Sequence, residues 1–340
     1  MNVWQYLVRR ILSIIPTLLG MTIICFIIIN LAPGSPIEKK IQEIRFSSSS
    51  GGTSENSGLV TKEVVDALKK QYGFDRPLLE RYWIWLKNIA TLDFGESFSY
   101  EEPVIDVIVS KFPVSLQFGI VSLILSYLIC IPLGIFKAVK SNSAFDMASS
   151  VLLYAMYATP GFMLGVVLLV FFAGDSFLDI FPIGGLHSDF YENLGFFERM
   201  VDRIHHAFLP LICYMIGSFT TLTMLMKNSI LDHIKKDYIR TARAKGLSEK
   251  VVYLKHALRN ALIPVVTGLG SFISVFFAGS LLIETIFQLD GIGLLGYQSV
   301  LERDYNVLMG NMFIQSFLML VGNIISDFAY IVVDPRIDFQ

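Results

Sequence analysis

The dipeptide Gly-Lys occurs nowhere in the 340 residues. Its absence removes the phosphate-cradling loop Gly-x-x-x-x-Gly-Lys-Ser/Thr, whose lysine must directly follow the second glycine to reach the phosphates. ATP hydrolysis through such a loop is therefore not expected of this chain. His-Glu-x-x-His and Gly-x-Ser-x-Gly are missing too, and with them the usual marks of a zinc hydrolase and of a serine nucleophile on a sharp turn. Cysteine is scarce: Cys25, Cys130 and Cys213 all fall in apolar runs, where they pack as small apolar residues and no disulfide is expected. The adjacent His205 and His206 point in different directions along a helix and lack the i, i+4 spacing of a metal pair. Charged residues make up only 16% and the net charge is −2, so nothing marks a nucleic-acid partner, and no cofactor bound by this chain is expected.

What the chain has in excess is apolar surface, at 54% hydrophobic residues, more than a soluble core of this length hides. Crossing a hydrocarbon layer of roughly 30 Å takes about 20 helical residues. Six runs of that kind carry few or no charges: Ile11 to Leu31, Val114 to Phe136, Ala148 to Ala173, Ala207 to Met226, Leu262 to Phe287 and Val307 to Val333. They predict an all-α membrane protein of six transmembrane helices. The first run follows Arg9 and Arg10 but is longer than a signal-peptide core and has no small-residue cleavage pattern after it, so it reads as a retained helix. With the N-terminus inside, the short inner segments carry fourteen Lys and Arg, nine of them between Lys227 and Arg259, against Arg199, Arg203 and Arg303 outside. That excess places both termini in the cytoplasm.

The first unit, residues 1–32, is the inner N-terminus with its helix. Pro33-Gly34-Ser35-Pro36 ends that helix, and residues 33–112 form a separate outer module. Within it the Ser- and Gly-rich stretch 47–58 predicts a mobile loop. Thr61 to Tyr72 has amphipathic spacing with Thr61 as N-cap. Leu78 to Leu92 is an aromatic-rich helix whose Tyr82, Trp83 and Trp85 belong either at the headgroup level or in the module's own core. Residues 113–333 hold the remaining five helices, with an inner loop at 227–261, and 334–340 form a cytoplasmic tail. Gly174 to His206 is an acidic outer loop, carrying six Asp and Glu against two Arg, and reads as a solvated face.

The most informative stretch runs from Asp237 to Lys250. It reads as two helices meeting at a corner: Gly246 suits the left-handed position after a helix, Arg243 and Lys245 suit its last turn, and Ser248 is placed to cap the next helix. The spacing resembles the cytoplasmic coupling loop of the permeases of ABC importers, and the run Thr241-Ala242-Arg243-Ala244-Lys245-Gly246-Leu247-Ser248 followed by His256-Ala257-Leu258-Arg259-Asn260-Ala261-Leu262-Ile263-Pro264 is similar to their peptide-importing branch. The chain departs from the general motif in having Arg240-Thr241-Ala242 where Glu-Ala-Ala stands. Tyr72-Gly73-Phe74-Asp75-Arg76-Pro77, Asp93-Phe94-Gly95-Glu96-Ser97, Glu284-Thr285-Ile286-Phe287 and Asp334-Pro335-Arg336-Ile337 carry the resemblance along nearly the whole chain. Within that branch the chain resembles the B-type permeases of the microcin C and murein-peptide oligopeptide importers.

The resemblance implies a type I ABC importer permease fold with a periplasmic insertion between the first two helices, located in the bacterial inner membrane. It implies that Asp237, Tyr238, Arg240, Thr241, Ala242, Arg243, Ala244, Lys245 and Gly246 form the contact with a cytoplasmic ATP-binding subunit, where ATP and Mg are bound. It further implies a homologous second permease subunit, a periplasmic peptide-binding protein and a peptide or peptide-like cargo. A basic interfacial helix resting on anionic lipid is the plainer reading of the same loop.

Inside the runs, Glu284 and Asp327 are the ionisable residues nearest hydrocarbon depth, and Asn323 lies one turn before Asp327. Such groups line a path or satisfy the bundle's own polar contacts. Pro16, Pro132, Pro160, Pro210 and Pro264 each remove a backbone donor, and Pro160, followed by Gly161, is the best candidate for a hinge as against a simple kink. Two other classes fit an apolar helical chain: an ion-coupled secondary transporter, which needs charge relays and repeats near the midplane, and an intramembrane hydrolase, which needs a convergent nucleophile and base.

Overall fold

A computed structural model describes residues 3–31, 34, 37–42, 62–71, 74–174, 177–267 and 280–333. Among them no strand forms; two isolated bridges, Glu96 with Pro103 and Ala173 with Phe181, are the nearest approach to one. The helices, in order, are α1 (Val3–Leu31), α2 (Lys62–Gln71), α3 (Leu78–Ile89), α4 (Val104–Val139), α5 (Ala144–Ala158), α6 (Gly161–Phe172), α7 (Phe196–His233), α8 (Asp237–Ala244), α9 (Glu249–Val251), a wider-turned stretch Val252–Ala257, α10 (Leu258–Ala261), α11 (Ile263–Thr267), α12 (Leu281–Ile286), α13 (Ile292–Glu302) and α14 (Tyr305–Val333).

Four of these hold an apolar stretch long enough to cross a membrane: Val8–Leu31, Val104–Val139, Phe196–His233 and Tyr305–Phe328. A fifth exists if α5 and α6 count as one. The expected third span is not one straight helix, because the chain turns by 102° between them. Thr159 leaves the helix for extended backbone, as the residue before a proline is driven to do, and Pro160 opens α6 with no N–H to be left unpaired. By contrast Pro16, Pro132 and Pro210 sit inside unbroken helices. The expected fifth span has its middle, residues 268–279, outside the described residues, as do the expected mobile loop 47–58, the cap Thr61 and the tail 334–340.

Helices outrun the apolar runs that announce them. α4 starts ten residues before Val114 and α7 takes in the last third of the expected acidic loop, because charges such as Lys111, Glu198 and Asp202 end a hydropathy run without ending a helix. In the other direction, α3 stops at Ile89 and not at Leu92, whose φ of 59° is left-handed.

The chain divides into two compact units. One comprises Leu12–Phe112 and Leu295–Phe317. Its buried polar centre is Asp304, which accepts from Ser97 Oγ at 2.5 Å and from the Ser99 and Val307 N–H groups at 3.0 and 3.1 Å. Tyr82 and Trp85 pack inward here: Tyr82 is hydrogen-bonded to Thr22 at 2.9 Å and its ring lies 6.1 Å from that of Trp85, whereas Trp83 is exposed. Tyr82 and Trp85 thus follow the reading of this helix as part of the module's own core.

The other unit comprises Met1–Ile11, Pro113–Leu294 and Leu318–Gln340. One core cluster gathers Cys130, Leu222, Met226, Ile230, Ile239, Ala242, Val252, Ala257, Ala261 and Val265, and a second gathers Phe118, Leu209, Cys213, Tyr214, Ile283, Phe287 and Leu289. Small residues let helices close up: a Cβ on Gly134 would lie 2.8 Å from the Thr223 carbonyl oxygen, and one on Gly161 2.8 Å from that of Cys213. Hydroxyls on α7 tie it to further helices, with Thr220 donating to the Leu153 carbonyl on α5 at 2.6 Å and Ser229 to that of Ala261 on α10 at 2.9 Å. All three cysteines are free thiols. Outward, α5 and α6 present Val151, Leu152, Tyr154, Met163 and Val167, a density of apolar side chains suited to lipid or to another apolar helix.

An unforeseen buried triad joins α4, α5 and α7 in this unit. Lys137, with no exposed surface, donates to the Asp146 carbonyl, Ser149 Oγ and Ser150 Oγ at 2.9, 2.5 and 3.0 Å and lies 3.1 Å from Asp146 Oδ1. Lys227 reaches both Asp146 carboxylate oxygens at 2.8 Å. These two lysines look like free inner-face charges in the sequence; here one carboxylate serves both. Asp146→Asn leaves them facing a neutral amide, and a loss of about 2 kcal/mol is expected, less than for full removal of a partner because Asn still accepts. Thermal unfolding of the detergent-solubilised chain reads it, and Lys227→Met should cost less, since it relieves the excess cation.

Candidate functional site

The corner expected at 237–250 is present. α8 begins after Lys236 in extended backbone, and Asp237 in its first turn suits the positive end of the helix dipole. Ile239 and Ala242, three residues apart, share one face and are buried in the first core cluster of their unit. Asp237, Arg240, Thr241, Ala244 and Lys245 lie on exposed surface, and Tyr238 remains 39% exposed while hydrogen-bonded to His233 Nδ1 at 2.9 Å. Arg240 lies 3.4 Å from Asp237, in the position where the general motif would carry an acid. α8 is thus fixed along one side and exposed along the other.

Its C-terminus closes by paired backbone bonds: the Gly246 N–H donates to the Arg243 carbonyl at 2.9 Å and the Leu247 N–H to that of Ala242 at 3.4 Å, the reciprocal pattern that a left-handed residue after a helix makes. Gly246 supplies that residue at φ 77°. A Cβ there would meet nothing within 4 Å, so glycine is required by its dihedral and not by space.

Ser248 occupies the expected cap position of α9, but its hydroxyl makes no capping bond. The corner is clamped instead by Arg243, whose Nε and second guanidinium nitrogen reach the two Glu249 oxygens at 2.8 and 3.1 Å. That fork holds the Glu249 carboxyl below the usual carboxylate range and raises Arg243 further. The preference for a side-chain clamp over a serine cap has no local sequence signature beyond an Arg and a Glu six residues apart.

After α9 the backbone widens to a π-helical stretch, Val252–Ala257, before returning to α-helix at Leu258. Val252, Ala257 and Ala261 are buried beside Ile239 and Ala242, so the exposed helix and this stretch share one core. Displacing α8 must displace both its neighbours or break apolar packing.

Glu284 lies elsewhere, fully buried on α12. Its Oε1 accepts from Ser115 Oγ at 2.8 Å, Tyr214 Oη at 3.2 Å and the Ser280 N–H at 3.2 Å, and its Oε2 from the Leu294 N–H at 2.7 Å. A Cβ on Gly291 would stand 2.6 Å from this carboxyl carbon, so here glycine answers to space. Asp327 on α14 lies 3.1 Å from Arg10 Nε on α1, and Asn323 is half-buried one turn before it. Glu284 and Asp327 do not meet: each has its own partners. Reading the sequence missed Ser115 and Tyr214, common residue types within apolar runs, and Asp146 and Lys137, which lie between two runs; the only clue was a titratable residue needing company. Among the described residues no group of His, Cys, Asp and Glu is gathered to hold a metal ion.

Residues 130–339 match the family described as binding-protein-dependent transport system inner membrane component, and residues 3–119 match the N-terminal region of such membrane components. The chain is 44% identical to the peptidoglycan transport system permease protein YejB of Agrobacterium fabrum, over 98% of each chain. It is 42% identical to the inner membrane ABC transporter permease protein YejB of Escherichia coli, over 98% of this chain and 99% of that one. To the oligopeptide transport system permease protein AppB of Bacillus subtilis it is 36% identical, again over 98% and 99%.

Proposed function

The chain belongs to the family of binding-protein-dependent transport system inner membrane components, and from that membership we propose that it is the permease subunit of an ABC importer carrying peptides or peptide-like compounds, of the murein-peptide and microcin C kind, into the cytoplasm. Support for the cargo class comes from relatives named for peptidoglycan and oligopeptide transport. In this reading six transmembrane helices, with 33–112 as a periplasmic insertion and both termini cytoplasmic, pair with a homologous permease to enclose a path. A periplasmic binding protein delivers cargo, and ATP with Mg is bound and hydrolysed on separate cytoplasmic subunits.

The observation that carries the reading is the α8 corner: a short helix held by Ile239 and Ala242, exposed on its other face and ended by Gly246. ATP binding on the partner moves α8, and the shared core conveys that movement to α7 and the stretch after Val252. Glu284 serves the bundle's own polar contacts in this scheme. The test is uptake of a labelled peptide into vesicles holding this chain with a second permease, ATPase and binding protein. Uptake is expected only with ATP inside the compartment facing the ATPase. Uptake driven by an ion gradient without nucleotide would instead establish a secondary transporter.

A further inference from the structure

In the unit comprising Leu12–Phe112 and Leu295–Phe317, a cleft of about 470 Å³ opens between α1, α3, the loop at 93–98 and the start of α14, a size typical of small-molecule sites. Its walls are aromatic on one side: the Arg81 guanidinium carbon lies 3.9 Å from the centre of the Phe74 ring and 6.0 Å from that of Phe26. A guanidinium stacked by its face keeps its in-plane N–H groups for other work. No acidic side chain pairs with Arg81 among the described residues, and burial pulls its pKa below the ordinary guanidinium value. One helical turn on, Trp85 lines the same cleft, and its indole N–H is shielded from solvent without any acceptor.

Two donors at i and i+4 on one face of α3, one charged and half-buried and one neutral and buried, both lack an acceptor among the described residues. Leaving such groups unmatched is costly. The nearby acids do not pair with Arg81: Asp93 accepts from the Gly95 N–H at 3.0 Å, and Glu96 is the other acid of a lining that holds Lys70, Arg81 and an Arg76 that lies 3.5 Å from Glu80. Charge and hydrogen-bonding capacity both ask for an anionic acceptor, and the Phe26 and Phe74 rings ask for an apolar body attached to it.

We propose that this cleft binds an organic carboxylate bearing a compact apolar or aromatic group, with the carboxylate held by Arg81 and, once the indole turns to bring out its shielded N–H, by Trp85, and the apolar group lying against Phe26 and Phe74. The inference stands on the cleft and does not depend on the importer reading. A peptide's terminal residue is one such group, and that identification alone rests on the proposed function.

The test uses the full chain in detergent with Trp4→Phe and Trp83→Phe, which leaves Trp85 as the single tryptophan. Its fluorescence is followed during titration with N-acetylphenylalanine and, separately, with the corresponding amide. The acid should saturate and bind at least about tenfold more tightly than the amide, the difference expected when a charged hydrogen-bond partner is neutralised. Arg81→Met should bring the acid down to the affinity of the amide, and Arg81→Lys should retain part of the preference. If the methionine variant does not fold, the acid–amide comparison on the parent still decides. Equal affinities overturn the proposal; so does no saturable response to the free acid, including the case in which only ordered water or a docked protein's acidic side chain reaches Arg81. Peptide uptake is measured separately, so loss of one result leaves the other standing.

Discussion

Glu284→Leu is expected to destabilise the chain by about 4 kcal/mol, more than the roughly 1–3 kcal/mol of one unpaired buried donor because several donors lose a shared acceptor. The leucine removes the acceptor of Ser115 Oγ, Tyr214 Oη and the N–H groups of Ser280 and Leu294 together. Each buried donor left alone costs roughly 1–3 kcal/mol, and local relaxation keeps the sum below the arithmetic total. Glu284→Gln separates charge from geometry. Its carbonyl oxygen can replace Oε1 toward Ser115 and Tyr214, but its amide then turns N–H toward the Leu294 N–H, so about half the loss is expected. Thermal unfolding in detergent, with Gly291→Ala as a second probe of the same knot, gives the order Leu, then Gln. A leucine variant as stable as the parent would mean the carboxylate does not organise this junction.

What the sequence made legible divides along a physical line. Patterns set by neighbours in the chain were read well: the helix and corner at 237–246, the left-handed Gly246, and the amphipathic segment that became α2. Contacts set by distant residues were not. Hydropathy ends a run at Lys111 or Asp202, but a helix cares about backbone bonding and continues through both. Ser97 and Asp304 are 207 positions apart, Ser115 and Glu284 169, and Lys227 and Asp146 81; no local period records such pairs. Pro160 shows the intermediate case. The breaker is visible, yet whether a proline kinks a helix, as Pro132 and Pro210 do not break theirs, or turns the chain by 102° depends on whether tertiary packing holds the preceding residue helical. In the candidate site the same division holds, with Gly246 foreseen and the Arg243–Glu249 clamp not.

Gly246→Val should reduce ATP-dependent peptide uptake by about tenfold or more, because a β-branched residue at a left-handed dihedral is strained enough to reshape the corner. The valine has room: beyond its chain neighbours, no atom of the described residues lies within 4 Å of where its Cβ would sit. Any loss therefore comes from the backbone rejecting φ 77°, which opens the Gly246–Arg243 and Leu247–Ala242 bonds and shifts the Arg243–Glu249 clamp. Ile239 and Ala242 stay buried, so the unfolding midpoint should move little while coupling fails. Gly246→Asn discriminates between causes. Asparagine visits left-handed geometry far more readily than valine, so it should keep most of the uptake if the dihedral matters, and lose as much as valine if the partner simply requires a bare surface. Partner-stimulated ATPase activity, measured in the same vesicles, should follow the same order of glycine, asparagine, valine. Unchanged uptake and unchanged ATPase in the valine variant would remove α8 from the transmission of force, and with it the reason for assigning this corner to a motor on another chain.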